Sequence, residues 1–173
     1  SMLIAIISDT HDNLNAIQLV QDFCARAEIE TLIHCGDLTD PGLVSYLDGV
    51  KVIYSTGNMD SSSERIRQAL QALNPQNWAG SIYSGSVFGS QVACVHGNVH
   101  GQVEALAHSQ KYDYVFHGHT HKRRDERFGK TRVINPGALG GKNSSPGSFC
   151  TLDLKTGNNS FYRVSNTTLW LSP

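Results

Sequence analysis

Five short polar clusters in the sequence contain residue types that can do chemistry. They are Asp9-Thr10-His11, Gly36-Asp37, Gly57-Asn58-Met59-Asp60, His96-Gly97 and Gly118-His119-Thr120-His121. Their Asp, His and Asn side chains offer oxygen and imidazole nitrogen without a thiolate, which suits borderline divalent metals such as Mn, Fe, Ni or Zn. The candidate ligands are too many for one tetrahedral ion, so they predict two cations sharing a bridging carboxylate. These candidates are Asp9, His11, Asp37, Asn58, His96, His119 and His121.

Each cluster also has a purely structural interpretation. Asp9 could cap the helix that follows it, Asp37 could be a turn acid, and a lone His96 could be a structural histidine. The pair His119 and His121 is harder to explain in this way, because two histidines at i and i+2 after a strand are uncommon without a ligand. The coincidence of all five clusters therefore favours a metal site.

The first third of the chain alternates between apolar strands and amphipathic helices. Strands are predicted over 3–8, 31–35 and 51–56, and helices over 14–27, 42–47 and 64–73. Near-continuous apolar strands joined through helices predict a parallel sheet that is covered on both faces.

The later part of the chain is richer in hairpins. We predict hairpins over 82–88 with 91–96, 123–128 with 131–135, and 148–154 with 160–164, together with a helix at 102–110 and a strand at 114–117. This pattern predicts a second sheet in one domain over 2–165, followed by a C-terminal tail at 166–173. The loop 137–148 is long enough to be functional or mobile.

Every polar cluster follows the C-terminal end of a predicted strand. Ligand sites of open α/β sheets lie at this edge. We therefore expect side chains that are distant in sequence to meet there.

The ordered series D-x-H, G-D, G-N, H-G and G-H-x-H resembles the calcineurin-like metallophosphoesterases, and is most similar to their small bacterial and archaeal phosphodiesterase branch. The similarity extends from Asp9 to about Gly137. It implies an α/β/β/α sandwich of two mixed sheets flanked by helices. It also implies two ligand sets that share Asp37, namely Asp9, His11, Asp37 and His121 for the first metal and Asp37, Asn58, His96 and His119 for the second.

The resemblance implies a hydrolase, foremost a phosphodiesterase, in which a hydroxide activated by two metals, Mn most of all, attacks phosphorus. Asp37, Asn58 and His96 are the expected catalytic residues. Many phosphatases of the superfamily have a proton-donating histidine where this chain has Met59. We therefore expect a bias toward activated esters or phosphodiesters over alkyl monoesters. The alternatives are a phosphomonoesterase or nucleotide phosphatase on the same site, and a non-catalytic scaffold like the retromer small subunit.

Three further residues are candidate substrate contacts. His100 lies shortly after His96-Gly97 and could act as an acid or a substrate contact, or could be only a surface histidine at a helix start. Lys122 and Arg123 belong to a basic run that could attract a phosphate or could be a solvated hairpin.

The composition narrows the class of partner. The chain has 173 residues and a net charge of −1, so no basic excess indicates nucleic-acid binding. No apolar run approaches the length of a transmembrane helix. The four cysteines form no C-x-x-C pair, which favours reduced thiols and a cytoplasmic location. A small phosphate ester is the expected partner. The composition is compatible with a homo-oligomer as well as with a monomer.

Overall fold

The computed structural model describes residues 1–141 and 146–173. These described residues form twelve strands, three α-helices and one 3-10 helix at Pro41–Leu47. The strands are β1 (Leu3–Ile7), β2 (Thr31–His34), β3 (Lys51–Ser55), β4 (Trp78–Gly80), β5 (Ile82–Val87), β6 (Ser90–Val95), β7 (Tyr114–Phe116), β8 (Arg124–Phe128), β9 (Thr131–Asn135), β10 (Gly147–Asp153), β11 (Asn159–Val164) and β12 (Leu169–Ser172). The α-helices are α1 (Leu14–Arg26), α2 (Ser63–Leu73) and α3 (Gln102–His108).

The larger sheet has the strand order β12-β11-β10-β1-β2-β3-β4. β1, β2, β3 and β4 are parallel neighbours, and β10, β11 and β12 are added in antiparallel pairs. The helix α1 begins after Asn13, whose side chain accepts a hydrogen bond from the Ala16 amide. The apolar face of α1, with Ile17 and Val20, packs on this sheet together with Ile66 and Leu70 of α2. The parallel half predicted from the sequence is confirmed.

The smaller sheet has the order β5-β6-β7-β9-β8. Its three central strands are parallel, and its two edge strands pair antiparallel through hairpins. The helix α3 covers the outer face, where Val103 and Ala107 pack with Val115 and Val133.

The main core lies between the two sheets. Ile4 and Ile6 point into it, whereas the alternate residues Ala5 and Ile7 face the helices, because side chains of a strand alternate between its two faces. The other side of this core includes Phe116 of the smaller sheet. The layers are therefore helix, sheet, sheet and helix, which confirms the predicted α/β/β/α sandwich.

Two strands differ from the sequence prediction. β4 has only three residues, too few to show a period. β12 lies in the segment predicted as a tail, and it extends the larger sheet by pairing with β11, so the tail boundary at residue 165 divides a continuous sheet. In the predicted loop 137–148, residues 142–145 lie outside the described residues, and the last two residues begin β10.

The helices that the structure describes, up to residue 141 and from residue 146 onward, include none with the length and apolar character needed to cross a membrane.

Candidate metal centre

The seven predicted ligands follow five strand ends. β1 leads to Asp9 and His11, β2 to Asp37, β3 to Asn58, β6 to His96, and β7 to His119 and His121. β1, β2 and β3 are parallel neighbours in one sheet, and β6 and β7 are parallel neighbours in the other. Their carboxyl ends therefore meet at one edge of the sandwich, and the structure brings all seven residues together there.

A first group of ligand atoms surrounds one oxygen of Asp9. Asp9 Oδ1 lies 3.2 Å from His121 Nε2 and 3.7 Å from His11 Nε2. The ligand atoms of these three residues all lie within 4.8 Å of one another. One carboxylate and two imidazoles at this spacing can hold a divalent cation.

A second group overlaps the first. Asp37 Oδ2 lies 3.3 Å from His96 Nε2 and 3.9 Å from His11 Nε2, so it faces a histidine of each group. Asp9, Asp37 and His96 also fit within 4.8 Å. His96 Nε2 is 2.9 Å from Asn58 Oδ1, and the His96 ring lies 5.2 Å from the His119 ring. Two overlapping groups accommodate two neighbouring cations.

The protonation of His96 supports this fit. Its Nδ1 lies 2.6 Å from the carbonyl oxygen of Cys35, which can only accept, so Nδ1 carries a proton. In the neutral ring, Nε2 then presents a lone pair toward three oxygens, those of Asn58, Asp37 and Asp9. Such an arrangement of acceptors needs a proton or a metal ion at its centre.

Two unpartnered atoms point to the same position. Asp9 Oδ2 accepts hydrogen bonds from the Ser8 hydroxyl at 2.6 Å and from the His119 amide at 3.1 Å. Asp9 Oδ1 and His11 Nε2, by contrast, are buried without a hydrogen-bond partner among the described residues. Buried polar atoms are seldom left unsatisfied in a native protein, so these two atoms fit the donor set of a metal site.

The site is electrostatically prepared for cations. Burial raises the pKa of Asp9, but the neighbouring His11 imidazole and the hydrogen bond from Ser8 outweigh this and lower the pKa to about 2. Burial likewise acts to raise the pKa of Asp37, but the neighbouring His96 imidazole and a hydrogen bond from the Met59 amide lower it on balance. Both carboxylates are therefore ionised at neutral pH. A cation that binds there must displace only histidine protons.

Five of the ligands have unusual backbone conformations. The φ angles are 52° at Asp9, 42° at His11, 61° at Asp37, 70° at His119 and 61° at His121. Positive φ is costly for residues with a Cβ, and such strain concentrates at functional sites. The rest of the fold holds these loops in place against that cost.

Comparison with known proteins identifies the family. Residues 2–157 match the family model described as the calcineurin-like phosphoesterase superfamily domain. The chain belongs to this superfamily. It is a metal-dependent hydrolase of phosphate esters, and the resemblance found in the sequence is confirmed.

The relatives of this phosphoesterase include characterised archaeal proteins. A phosphodiesterase of Methanocaldococcus jannaschii is 31% identical over 138 residues, which cover 79% of this chain and 83% of that protein. The solved structure of an archaeal phosphodiesterase has a TM-score of 0.89 at 27% identity, covering 94% of this chain and 99% of that chain. Vacuolar protein sorting 29 from Cryptosporidium parvum has a TM-score of 0.74 at 21% identity, with coverage of 98% and 95%, and this likeness shows the fold alone.

The phosphoesterase positions its ligands through two buried residues for which no role was predicted. Asp60 accepts hydrogen bonds from the amides of Asp37 at 3.1 Å, Thr39 at 2.9 Å and Gly57 at 2.7 Å, and from the Tyr54 hydroxyl. It thus connects the Asp37 loop to the Asn58 loop. Its place two residues after Asn58 was the only available signal.

The second such residue is His34. The Gly36 amide donates to His34 Nδ1 at 3.1 Å, so the proton of the neutral ring is on Nε2, which lies 3.2 Å from Thr10 Oγ1. Burial lowers the pKa of His34 to about 4, so the ring is neutral at working pH. His34 therefore connects the Asp9 loop to the Asp37 loop.

Two glycines of the motifs are required by close approach. A Cβ at Gly57 would lie 2.0 Å from Asp37 Oδ1, and a Cβ at Gly118 would lie 1.9 Å from Ser8 Oγ. Any other residue at these positions would displace the ligands or their hydrogen-bond partners.

The three candidate substrate contacts have different surroundings. His100 is exposed and lines a cavity beside His119. Lys122 is exposed on the loop that follows His121. The Arg123 guanidinium instead donates to Ser148 Oγ at 2.7 Å, Ser172 Oγ at 3.0 Å and the Tyr162 carbonyl at 3.1 Å. The structure therefore does not bring Arg123 to the site, because its donors are committed to the larger sheet.

Proposed function

We propose that this phosphoesterase is a phosphodiesterase that works with two divalent cations, Mn²⁺ in preference to Fe, Ni or Zn. The observation that carries the proposal is the pair of overlapping ligand groups. One group gathers around Asp9 Oδ1 and the other around Asp37 Oδ2. The archaeal phosphodiesterases that resemble this chain support the choice of diesters. The complete set of ligand types favours catalysis over the scaffold alternative.

The proposal divides the ligands between two positions that share Asp37. The first set is Asp9, His11, Asp37 and His121, and the second is Asp37, Asn58, His96 and His119. When bound, such a pair of cations polarises phosphoryl oxygens and lowers the pKa of a bound water.

The protein's own groups then orient and stabilise the substrate. Asn58 directs Oδ1 toward His96. The amide nitrogen of Asn58 is then left to donate a hydrogen bond to a phosphoryl oxygen of the substrate that gains negative charge during the reaction. His96 is fixed by the Cys35 carbonyl and cannot turn away. The buried Asp9, held by Ser8 and the His119 amide, keeps one oxygen directed into the site.

Met59 determines which leaving groups are favoured. Met59 is 57% exposed, and a thioether cannot donate a proton. A missing general acid typically costs about 10²–10⁴ in rate when the leaving group is poor. Diesters with leaving groups that need no protonation are therefore the best substrates, and alkyl monoesters are poor ones.

Steady-state kinetics with four metals test the proposal. Metal-free protein is given Mn²⁺, Fe²⁺, Ni²⁺ or Zn²⁺ and assayed on bis(p-nitrophenyl) phosphate and on p-nitrophenyl phosphate. We expect the highest kcat/KM on the diester with Mn²⁺. Asp37→Asn should lower this value more than about a hundredfold, while Asp22→Asn on the exposed side of α1 should not. Absence of diester turnover with all four metals would refute the proposal.

A further inference from the structure

A cavity of about 320 Å³ opens beside the metal centre. His119, one of the seven ligand residues, forms part of its wall, so a substrate at the metals can extend into it. Ligand sites usually measure about 300–1,000 Å³, and this cavity is at the lower limit. It has room for one substituent of a phosphodiester rather than for an oligomer.

An ion pair stands in the wall of this cavity. Arg124 Nη1 lies 3.6 Å from Glu104 Oε1. The position of Arg124 is fixed, since its guanidinium carbon lies 5.4 Å from the centre of the Phe128 ring and Nη1 lies 3.4 Å from His117 Nε2. His117 Nδ1 faces the Gly118 carbonyl at 3.0 Å and must carry the proton, so Nε2 accepts from Arg124.

The chemistry of this pair selects among substituents. A second anionic group would be repelled, because Glu104 and Glu126 both approach Arg124, the latter at 3.2 Å. An aromatic group would remove water from the pair without replacing its hydrogen bonds. A hydroxyl group donates and accepts, so neighbouring hydroxyls can satisfy the acceptor-only carboxylate and the donor-only guanidinium together.

Other polar groups of the wall fit the same substituent. Thr120 Oγ1 accepts from Asn135 Nδ2 at 3.0 Å and from the Lys122 amide at 3.3 Å, so its own hydrogen is left for another acceptor. Asn98 and His100 are exposed at the opening.

We propose that this cavity binds a hydroxyl-rich substituent of the diester, a sugar or a glycerol unit, and that Glu104 and Arg124 select it. The inference rests on the proposed phosphodiesterase function, whose natural substrates would then be diesters of polyhydroxy alcohols.

Calorimetric titration of the Mn²⁺-loaded protein tests this subsite. The probes are glycerol 1-phosphate, ribose 5-phosphate and phenyl phosphate, which share the phosphate group and differ in the substituent. At least one hydroxylated monoester should bind about tenfold more tightly than phenyl phosphate. Its advantage over the other hydroxylated probe distinguishes glycerol from sugar as the source.

Glu104→Gln and Arg124→Gln should each remove this preference, and two variants are used because either alone could fail to fold. Glu64→Gln and Arg67→Gln are matched controls, since Glu64 also lies in the first turn of a helix and is paired with an arginine. These controls should keep the preference.

The subsite is refuted if phenyl phosphate binds wild-type protein as tightly as the hydroxylated probes, or if both wall variants keep the preference. Turnover of bis(p-nitrophenyl) phosphate does not depend on this result, so the phosphodiesterase function would then still stand. Conversely, selective binding without any diester turnover would refute the proposed phosphodiesterase function, while the proposed subsite would still be supported.

Discussion

Replacing Asp60 by asparagine should weaken the hydrogen bonds that hold the metal-binding loops while leaving all seven metal ligands in the sequence. Asp60 Oδ2 accepts from the amides of Asp37 and Gly57 and from the Tyr54 hydroxyl, while Oδ1 accepts from the Thr39 amide. An amide can keep its oxygen at the Oδ2 position, but its NH₂ group then faces the N–H of Thr39.

The magnitude follows from these four bonds. In three of them the charged carboxylate acceptor is replaced by a neutral amide oxygen, which costs about 1 kcal/mol each. The fourth is lost because the new NH₂ group and the Thr39 N–H are both donors, which costs about 1–3 kcal/mol. Because Asp60 is only 6% exposed, water cannot compensate. We expect the free energy of unfolding to fall by about 4–6 kcal/mol and the affinity for Mn²⁺ to fall about 10–100-fold, since the loop that holds Asp37 loses its anchor.

Urea denaturation of the metal-free protein and calorimetric titration with Mn²⁺ measure the two effects. The matched control is Asp113→Asn, because the Asp113 carboxylate accepts one hydrogen bond, from the Gln91 amide at 2.8 Å. It should cost about 1 kcal/mol or less and leave metal affinity unchanged. If Asp60→Asn is as stable as this control and binds Mn²⁺ like wild type, Asp60 does not support the centre as described.

Three further predictions test individual residues. Met59→His should raise kcat/KM about tenfold or more for a diester with an alkyl leaving group while changing little on bis(p-nitrophenyl) phosphate, and an unchanged ratio of the two would contradict the role given to Met59. His34 should make the metal-free protein less stable in acid. Its pKa is about 4 when folded against an ordinary value of 6.5, so the unfolded chain alone takes up the proton between these limits. As the pH drops from 6.5 to 4, the free energy of unfolding measured in urea should therefore fall more steeply in wild type than in His34→Gln, by up to about 1.4 kcal/mol per pH unit. Above pH 6.5 the two proteins should show the same slope. Equal slopes in the acid range would be evidence against this role of His34. Arg123→Ala should lower the free energy of unfolding by about 3 kcal/mol through three lost hydrogen bonds and leave KM unchanged, whereas a raised KM at unchanged stability would return Arg123 to the substrate site.

The parts of the fold that were predictable are those with a long local signal. The strands β1, β2 and β3 are apolar runs that are followed within two or three residues by Asp9, Asp37 and Asn58, so the strand and its ligand could be recognised together. β4 is three residues long and has no period to recognise. β12 carries Leu169, Trp170 and Leu171, but its place in the larger sheet is set by pairing with β11, which local sequence does not specify.

The ligands of the site were predictable, and their supports were not. Asp9 and His121 stand out because residue type, glycine neighbours and position after a strand coincide. The role of His34 depends on burial between two loops, and that of Asp60 on four donors that fold around it. Arg123 shows the converse. Its charge and its place near His121 indicated substrate, but its partners lie 25 to 49 residues away along the chain.

An anomalous difference map from crystals grown with Mn²⁺ tests the two-cation centre most directly. We predict two peaks about 3.5–4 Å apart, one beside Asp9, His11 and His121 and the other beside Asn58, His96 and His119, with Asp37 between them. A single peak, or manganese bound elsewhere while these side chains face only water, would contradict the account.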